Sequence, residues 1–486
     1  MIASECRDRR VLRGCVIAVA FCSVAAAQER PDRSKPPTLA APPPLSLPSI
    51  QARTLRNGAP VWVVEAHEVP IVQVSLVIRA GAGDDPPGRF GTASLTAAML
   101  DEGAGARSAL EIADAVEFLG AALTTSSGFD ASAIRLNVPV ERLDEGLAIL
   151  ADVALRPTFP ATDLERLRQE RLTALLQARD DPSSVAAMAF SRLVFGREHR
   201  YGTGAIGTEA TVKALTADEL RAFYAAYYQP PNATFVVVGD VMVDAVVARL
   251  EKQFGTWPTT TAMRKASTVP PATQLTTRQI YLVDKPDAEQ SQIRIGWVGV
   301  PRSTPDYFPL LVLNTVLGGS FTSRLNQNLR EEHGYAYGAS SFFDMRLSAG
   351  PFVAAAGVQT DKTAEAVREF FAELEGIRNP IGEEELAKAK NFIALGFPAE
   401  FETSTDLSGR LEELVIYRLP DDHFERYVPN VLAVTAAAAQ QAAERYVQPS
   451  RLAVVVVGDR KTIEPGLRAL NLGPVRVLTV DEAVAP

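Results

Sequence analysis

Two stretches of this chain, 219 positions apart, match without a gap, and they constrain its fold more than any other feature. Ala214–Val241 reads ALTADELRAFYAAYYQPPNATFVVVGDV and Ala433–Arg460 reads AVTAAAAQQAAERYVQPSRLAVVVVGDR. Thr216 meets Thr435, Tyr227 meets Tyr446, Gln229-Pro230 meets Gln448-Pro449, and Gly239-Asp240 meets Gly458-Asp459. Each copy reads as a helix, a proline turn that stops it, and a valine-rich buried strand closed by Gly-Asp. Alanine-rich helices resemble one another by chance, but chance does not also match the turn and the strand. A chain built this way has two homologous halves.

The rest of the sequence follows that plan. Ile71–Arg79 alternates, with Val72, Val74, Leu76 and Ile78 on one face, and Ser291–Val300 alternates through Ile293, Ile295 and Trp297. Ser108 with Glu111 forms a capping box, after which Ala109, Ile112, Ala113 and Val116 share a helical face. Asp163–Gln177 and Glu383–Leu395 read as polar-rich helices. Alternating strands interleaved with amphipathic helices predict an α+β protein of two α/β-roll halves, each a mainly antiparallel sheet with helices on one face.

The N-terminus carries Arg7, Arg9, Arg10 and Arg13, a short apolar run from Gly14, and small residues at Ala25-Ala26-Ala27. That is the pattern of a secretory signal peptide cut after Ala27, too short and too abruptly polar for a membrane span. The expected organisation is signal peptide 1–27, proline-rich tether 28–50, first half 51–257, linker 258–277, second half 278–475 and tail 476–486. All three cysteines lie within the signal, so the mature chain has no disulfide, cysteine nucleophile or thiolate ligand. The charge is −9 from 49 basic and 58 acidic residues, and removing four arginines and two acids with the signal makes it −11. That balance argues against a nucleic-acid binder. The expected location is the periplasm or the outside of the cell.

Chemistry is sparse. The four histidines, His67, His199, His333 and His423, are far apart in sequence. None begins a paired zinc motif on a helix. A P-loop, a dinucleotide glycine fingerprint and a G-x-S-x-G elbow are all missing. Asp101 and Glu102 are the acids nearest the Gly91-Thr92-Ala93 segment, but adjacent helical residues point apart, so a solvated or capping role fits them better.

The order Leu55-Arg56-Asn57-Gly58, Val61–Val64, Val69-Pro70, the Ile71–Arg79 strand and Gly91-Thr92-Ala93 resembles the opening of pitrilysin/insulinase-type zinc metallopeptidases. The resemblance continues through Tyr201-Gly202, Tyr227-Tyr228, Val238-Gly239-Asp240, Leu317-Gly318-Gly319, Ser323-Arg324-Leu325 and Gly334-Tyr335-Ala336-Tyr337. In that family G-x-A is followed by H-x-x-E-H: two histidine zinc ligands and a glutamate base, with a third ligand on a later helix. Here the corresponding positions are Ser94, Ala97 and Ala98, and the later ligand falls at about Gln177. These side chains cannot replace imidazoles and carboxylates around zinc, nor can Ala97 take a proton. The resemblance therefore implies a chain that holds no metal or other cofactor and is inactive alone.

One family element is retained. Arg330 and Tyr337 match the Arg/Tyr pair that the second half offers across the substrate chamber, where both donate hydrogen bonds to a substrate carbonyl and its oxyanion. Gly318 and Gly319 resemble a glycine-rich loop that guides substrate; two small residues there equally suit a helix-terminal turn. The resemblance thus implies the noncatalytic subunit of a two-subunit processing-type peptidase. Its partner would be a homologous subunit carrying H-x-x-E-H and the zinc, and its substrate a peptide or unfolded polypeptide. Two rivals are a peptide-binding or structural scaffold of the same fold, and an independent peptidase with unconventional ligands such as His199 or His423.

Overall fold

The computed structural model describes residues 47–264 and 269–484. The signal-peptide reading and residues 28–46 of the tether lie outside the described residues. Two six-stranded sheets dominate the fold. The first runs, edge to edge, Gln51–Thr54, Pro60–Glu65, Ala233–Gly239, Ile71–Ile78, Ser132–Pro139 and Ala122–Ser127. The second runs Val475–Leu478, Gln279–Asp284, Ala453–Gly458, Gln290–Val298, Pro351–Gln359 and Ala336–Phe343. Pairing is antiparallel except where Ala233–Gly239 lies on Pro60–Glu65, and where Ala453–Gly458 and Val475–Leu478 flank Gln279–Asp284.

The 219-residue offset extends well beyond the motif that revealed it. Strands starting at 60, 71 and 132 have counterparts starting at 279, 290 and 351, each 219 later. The helices Ala217–Tyr227 and Ala436–Tyr446 keep the same spacing, capped by Thr216 and Thr435. The sheets part company at their sixth strand. The first recruits Gln51–Thr54 from before the repeat, whereas the second recruits Val475–Leu478 from after it. Residues 476–484, set apart in sequence as a tail, belong to that strand and to a short helix whose Ala483 is buried.

Each sheet packs its own half's helices on one face. Val72, Val74, Leu76 and Ile78 enter the core of the first half, and Ile293, Ile295 and Trp297 that of the second. The helix after the Ser108 capping box buries Ile112 and Val116, with Ala115 packed beside them; Ala113, expected on that face, is exposed.

The opposite faces are closed by exchange. Helix Pro182–Phe195 belongs to the first half but packs Val185, Ala189 and Phe190 against Val283, Val298 and Val455 of the second sheet. Helix Ser404–Tyr417 returns the arrangement, placing Leu407, Leu411 and Leu414 on Val64, Val77 and Val236 of the first. This explains why both faces of Ile71–Ile78 are buried, with Ser75 Oγ 3.1 Å from Ser408 Oγ. Arg135 adds an ion pair between the halves, its Nε donating to Glu412 at 2.9 Å. Gly296 has a steric reason to be glycine: a Cβ there would lie 1.9 Å from the Phe352 carbonyl oxygen and 2.8 Å from Phe190 Cζ.

Candidate functional site

Ser94, Ala97 and Ala98 lie on the one short helix Thr92–Ala98. Asp85 anchors its start, accepting from the backbone N–H groups of Gly91 and Ala93 at 2.7 Å each while pairing with the buried Arg200 guanidinium at 2.9 Å. Ala97 faces the core, whereas Ser94 and Ala98 are half-buried. Together they offer one hydroxyl and two methyl groups. The group that approaches them is cationic: Arg171 of helix Ala161–Asp180 donates from Nη2 to the Ser94 carbonyl oxygen at 2.8 Å. Burial holds the Arg171 pKa down to about 10, against the opposing pull of the Asp85 charge. A guanidinium beside a set without anionic or imidazole donors does not fit a zinc ion.

Gln177 is not part of this group. It is exposed, and six residues beyond Arg171 the helix has turned it about 120° away from the Arg171 direction. Position 178, about two turns on from 171, returns close to the Arg171 direction. Arg171 went unnoticed in the sequence, although this same periodicity was the signal available. Asp101 and Glu102 are structural: Glu102 pairs with Arg166, and Asp101 accepts from Thr125, its pKa raised by burial.

The histidines do not converge on a metal site. His199 uses both ring nitrogens, Nδ1 accepting from the Tyr201 backbone N–H at 3.1 Å and Nε2 donating to the Pro270 carbonyl at 2.8 Å. His423 Nε2 sits 3.1 Å from Arg302 Nη2, and burial with that neighbouring charge lowers its pKa. His67 pairs with Asp240, and His333 stacks on Tyr335. Among the described residues no three His, Cys, Asp or Glu side chains gather as a metal group would require.

The second-half candidates do come together. Gly318, Gly319, Arg330 and Tyr337 line one open cavity of about 660 Å³, along with Phe321 and Phe392. Arg330 lies in a π-helical turn, Gln327–Glu332, and such turns are frequent at functional sites. Its guanidinium carbon is 5.2 Å from the Tyr337 ring centre and 4.6 Å from that of Phe321, so it stands between two aromatic faces. Tyr337 lies on the edge strand Ala336–Phe343, where pairing with Pro351–Gln359 slips between Ala336 and Ala339. The irregularity leaves Tyr337 89% exposed; bulges of this kind re-aim side chains. Phe321 was not singled out in the sequence, since one aromatic after a glycine pair carries no pattern.

The glycine pair has a packing role. It ends helix Tyr307–Leu317, both N–H groups donating to the Asn314 carbonyl, while the Gly318 carbonyl accepts from Ser341 N–H at 3.0 Å. A Cβ on Gly318 would lie 2.4 Å from that nitrogen, and one on Gly319 2.7 Å from Asn314 Nδ2. Helix end and edge strand touch through backbone here, which fixes one wall of the cavity.

Comparison with known proteins places this geometry in context. The model described as Insulinase (Peptidase family M16) matches residues 61–199, and that described as Peptidase M16 inactive domain matches residues 214–393. The uncharacterized zinc protease YmxG of Bacillus subtilis is 26% identical over 344 residues, 70% of this chain and 82% of that protein. An uncharacterized zinc protease of Mycobacterium tuberculosis is 28% identical over 364 residues, 74% of this chain and 82% of its own. In fold, a peptidase M16 inactive domain from Pseudomonas fluorescens superposes with a TM-score of 0.78 at 24% identity, covering 84% of this chain and 98% of that one. The periplasmic protease PqqL of Escherichia coli gives 0.72 at 16% identity, over 90% of this chain and half of the other. With its first half matched by the insulinase model and its second by the inactive-domain model, the chain belongs to peptidase family M16, the pitrilysin/insulinase family.

Proposed function

We propose that this chain is the noncatalytic, substrate-binding subunit of a zinc peptidase of the periplasm, donating Arg330 and Tyr337 to the site of a homologous H-x-x-E-H subunit that carries the zinc. The observation that carries the reading is the asymmetry between the halves. The helix that would bear the metal carries Ser94, Ala97 and Ala98 and receives the Arg171 guanidinium at the Ser94 carbonyl, while the second half holds an exposed tyrosine and an arginine side by side over an open cavity. A phenol left 89% exposed on a sheet edge adds little to the core, and Phe321 and Phe392 extend an apolar surface around it. Both polar groups are donors suited to a peptide carbonyl and to the oxyanion formed when it is attacked. The short N-terminal apolar run, the absence among the described residues of a helix able to cross a membrane, and the periplasmic fold neighbour are in keeping with export.

The test is reconstitution. Mixed with its H-x-x-E-H homologue, the chain should raise peptide hydrolysis well above either subunit alone. Tyr337→Phe should lower kcat by on the order of 10²–10³, as loss of one placed oxyanion donor does, while assembly measured by sedimentation is unchanged. Full activity in a normally assembled Tyr337→Phe complex would refute the role. If the chain associates only with itself and binds peptide without accelerating hydrolysis, the scaffold reading replaces this one.

A further inference from the structure

One buried side chain ties together Phe321, Arg330 and Tyr337, the three groups that meet at the open cavity. Asn326 is 4% exposed and closes the short helix Arg324–Asn326, immediately before the π-helical turn that carries Arg330. Both ends of its amide are used. Nδ2 donates to the Phe321 carbonyl at 2.6 Å, and Oδ1 accepts from the Ala339 backbone N–H at 3.1 Å. The partners fix the orientation of the amide, because the Ala339 N–H can only donate and the Phe321 carbonyl can only accept.

Both bonds fall where the rest of the fold holds the chain weakly. Ala339 is buried on the edge strand, and with it regular pairing to Pro351–Gln359 resumes after the slip that re-aims Tyr337. Its N–H is met by Asn326 and not by a neighbouring strand, so the strand is pinned two residues beyond Tyr337. A buried N–H left without such a partner is costly. Phe321 lies in the segment between helices Tyr307–Leu317 and Arg324–Asn326, and its ring is largely exposed, so core packing adds little to its placement. Arg330, four residues after Asn326, enters from the third side, its guanidinium carbon 4.6 Å from the Phe321 ring centre and 5.2 Å from that of Tyr337. A leucine would fill the volume of Asn326 but leave both backbone groups unpaired. Only an amide donates in one direction and accepts in the other at this length.

We propose that Asn326 is a positioning residue: it sets the separation of the Phe321 segment and the Tyr337 strand, and so holds the Arg330 guanidinium and the Tyr337 phenol in the arrangement from which they meet a peptide carbonyl. That they meet a peptide carbonyl rests on the function proposed above; that Asn326 holds them does not. A displacement of about 1 Å in such a site can cost on the order of 10² in rate.

Two variants separate the bonds. Asn326→Asp keeps the acceptor for Ala339 but sets a carboxylate oxygen against the Phe321 carbonyl, whereas Asn326→Leu removes both links. Val367→Ala, a core truncation on helix Thr363–Gly376 that lines no part of the cavity, controls for lost stability. The purified chain, carrying 3-fluorotyrosine at 337 or 4-fluorophenylalanine at 321, is followed by fluorine NMR. Asn326→Asp should move or broaden the 321 signal more than the 337 signal, Asn326→Leu should move both, and Val367→Ala should leave both in place. In the complex with the H-x-x-E-H homologue, Asn326→Leu should lower kcat by about 10- to 100-fold with KM within about twofold, and Val367→Ala should keep the parent kcat. If the fluorine signals move as stated while neither Asn326→Leu nor Tyr337→Phe changes kcat, Asn326 does position the pair and the donor function alone is refuted. The proposal is overturned if the 337 signal of a folded Asn326→Leu chain matches the parent, or if Val367→Ala moves it as far. Should Asn326→Leu not fold, Asn326→Asp decides: a 321 signal that stays with the parent, or moves no further than the 337 signal, overturns the proposal.

Discussion

Phe190→Ala is the most direct test of the helix exchange that closes the fold. Phe190 is 2% exposed, sits on a helix that belongs to the first half in sequence, and fills the space that Gly296 leaves open on the second sheet. Truncation removes roughly 150 Å² of buried ring from contact, which at about 25 cal/mol per Å² comes to ~4 kcal/mol. Phe→Ala changes at buried sites typically cost about 3–5 kcal/mol, so the two routes agree. The location of the loss is the sharper reading. Hydrogen exchange should accelerate most in Gln290–Val298, Pro351–Gln359 and Ala453–Gly458, strands a hundred or more residues downstream, and least in Ile71–Ile78. Leu411→Ala, its reciprocal on the other exchanged helix, should loosen the first sheet instead. Equal exchange in both sheets for either variant, or a urea-unfolding loss below about 1 kcal/mol for Phe190→Ala, would show that the helices do not close the sheets as described.

The combination Ser94→His, Ala97→Glu, Ala98→His and Gln177→Glu should take up no stoichiometric zinc by elemental analysis, because residue 177 lies off the face that meets Ser94 and the Arg171 charge opposes a cation there. One bound zinc per chain would contradict that account. Gly318→Ala should destabilise the chain by about 1–3 kcal/mol in urea unfolding, since its Cβ must displace the Ser341 backbone; an unchanged midpoint would remove the packing reason for the glycine. The His67 pKa is raised from 6.5 by its hydrogen bond to Asp240, so its contribution to stability is complete below pH 6.5 and is lost as pH rises through the higher folded value. His67→Gln should therefore flatten the fall of the melting temperature as pH rises above 6.5, and an unaltered profile would place the titration elsewhere.

How much of this was legible beforehand differs element by element, for physical reasons. The halves, their sheets and the own-half helix faces follow from periodicity, because a strand buried on one side must alternate and Val72, Val74, Leu76 and Ile78 do. The exchanged helices were not legible. Gln73, Ser75 and Val77 occupy the face that alternation leaves outside the first core, and the distant helix Ser404–Tyr417 covers it. At the site, Arg330 and Tyr337 were singled out only by the family resemblance, whereas the Arg330 contact with Phe321 depends on a π-helical turn that no residue pattern announces. Arg171 was hidden differently. A charged residue on a polar helix reads as a solvated one, yet its guanidinium turns inward to Ser94.

The repeat gives the helix Thr92–Ala98 a counterpart against which its burial can be compared. Adding 219 to 94, 97 and 98 gives Leu313, Val316 and Leu317 on helix Tyr307–Leu317, and both helices end at matching positions, 98 and 317. In the second half all three are buried core residues, at 1%, 4% and 1% exposure. In the first half only Ala97 is buried, while Ser94 and Ala98 remain half-buried. Had the first-half helix become ordinary core, large apolar side chains like those of its counterpart would be expected at 94 and 98. Small residues stand there instead, over a helix start still held by Asp85 and Arg200. That helix is thus less fully buried than its counterpart, as the proposed subunit would require if its first half shapes a chamber wall.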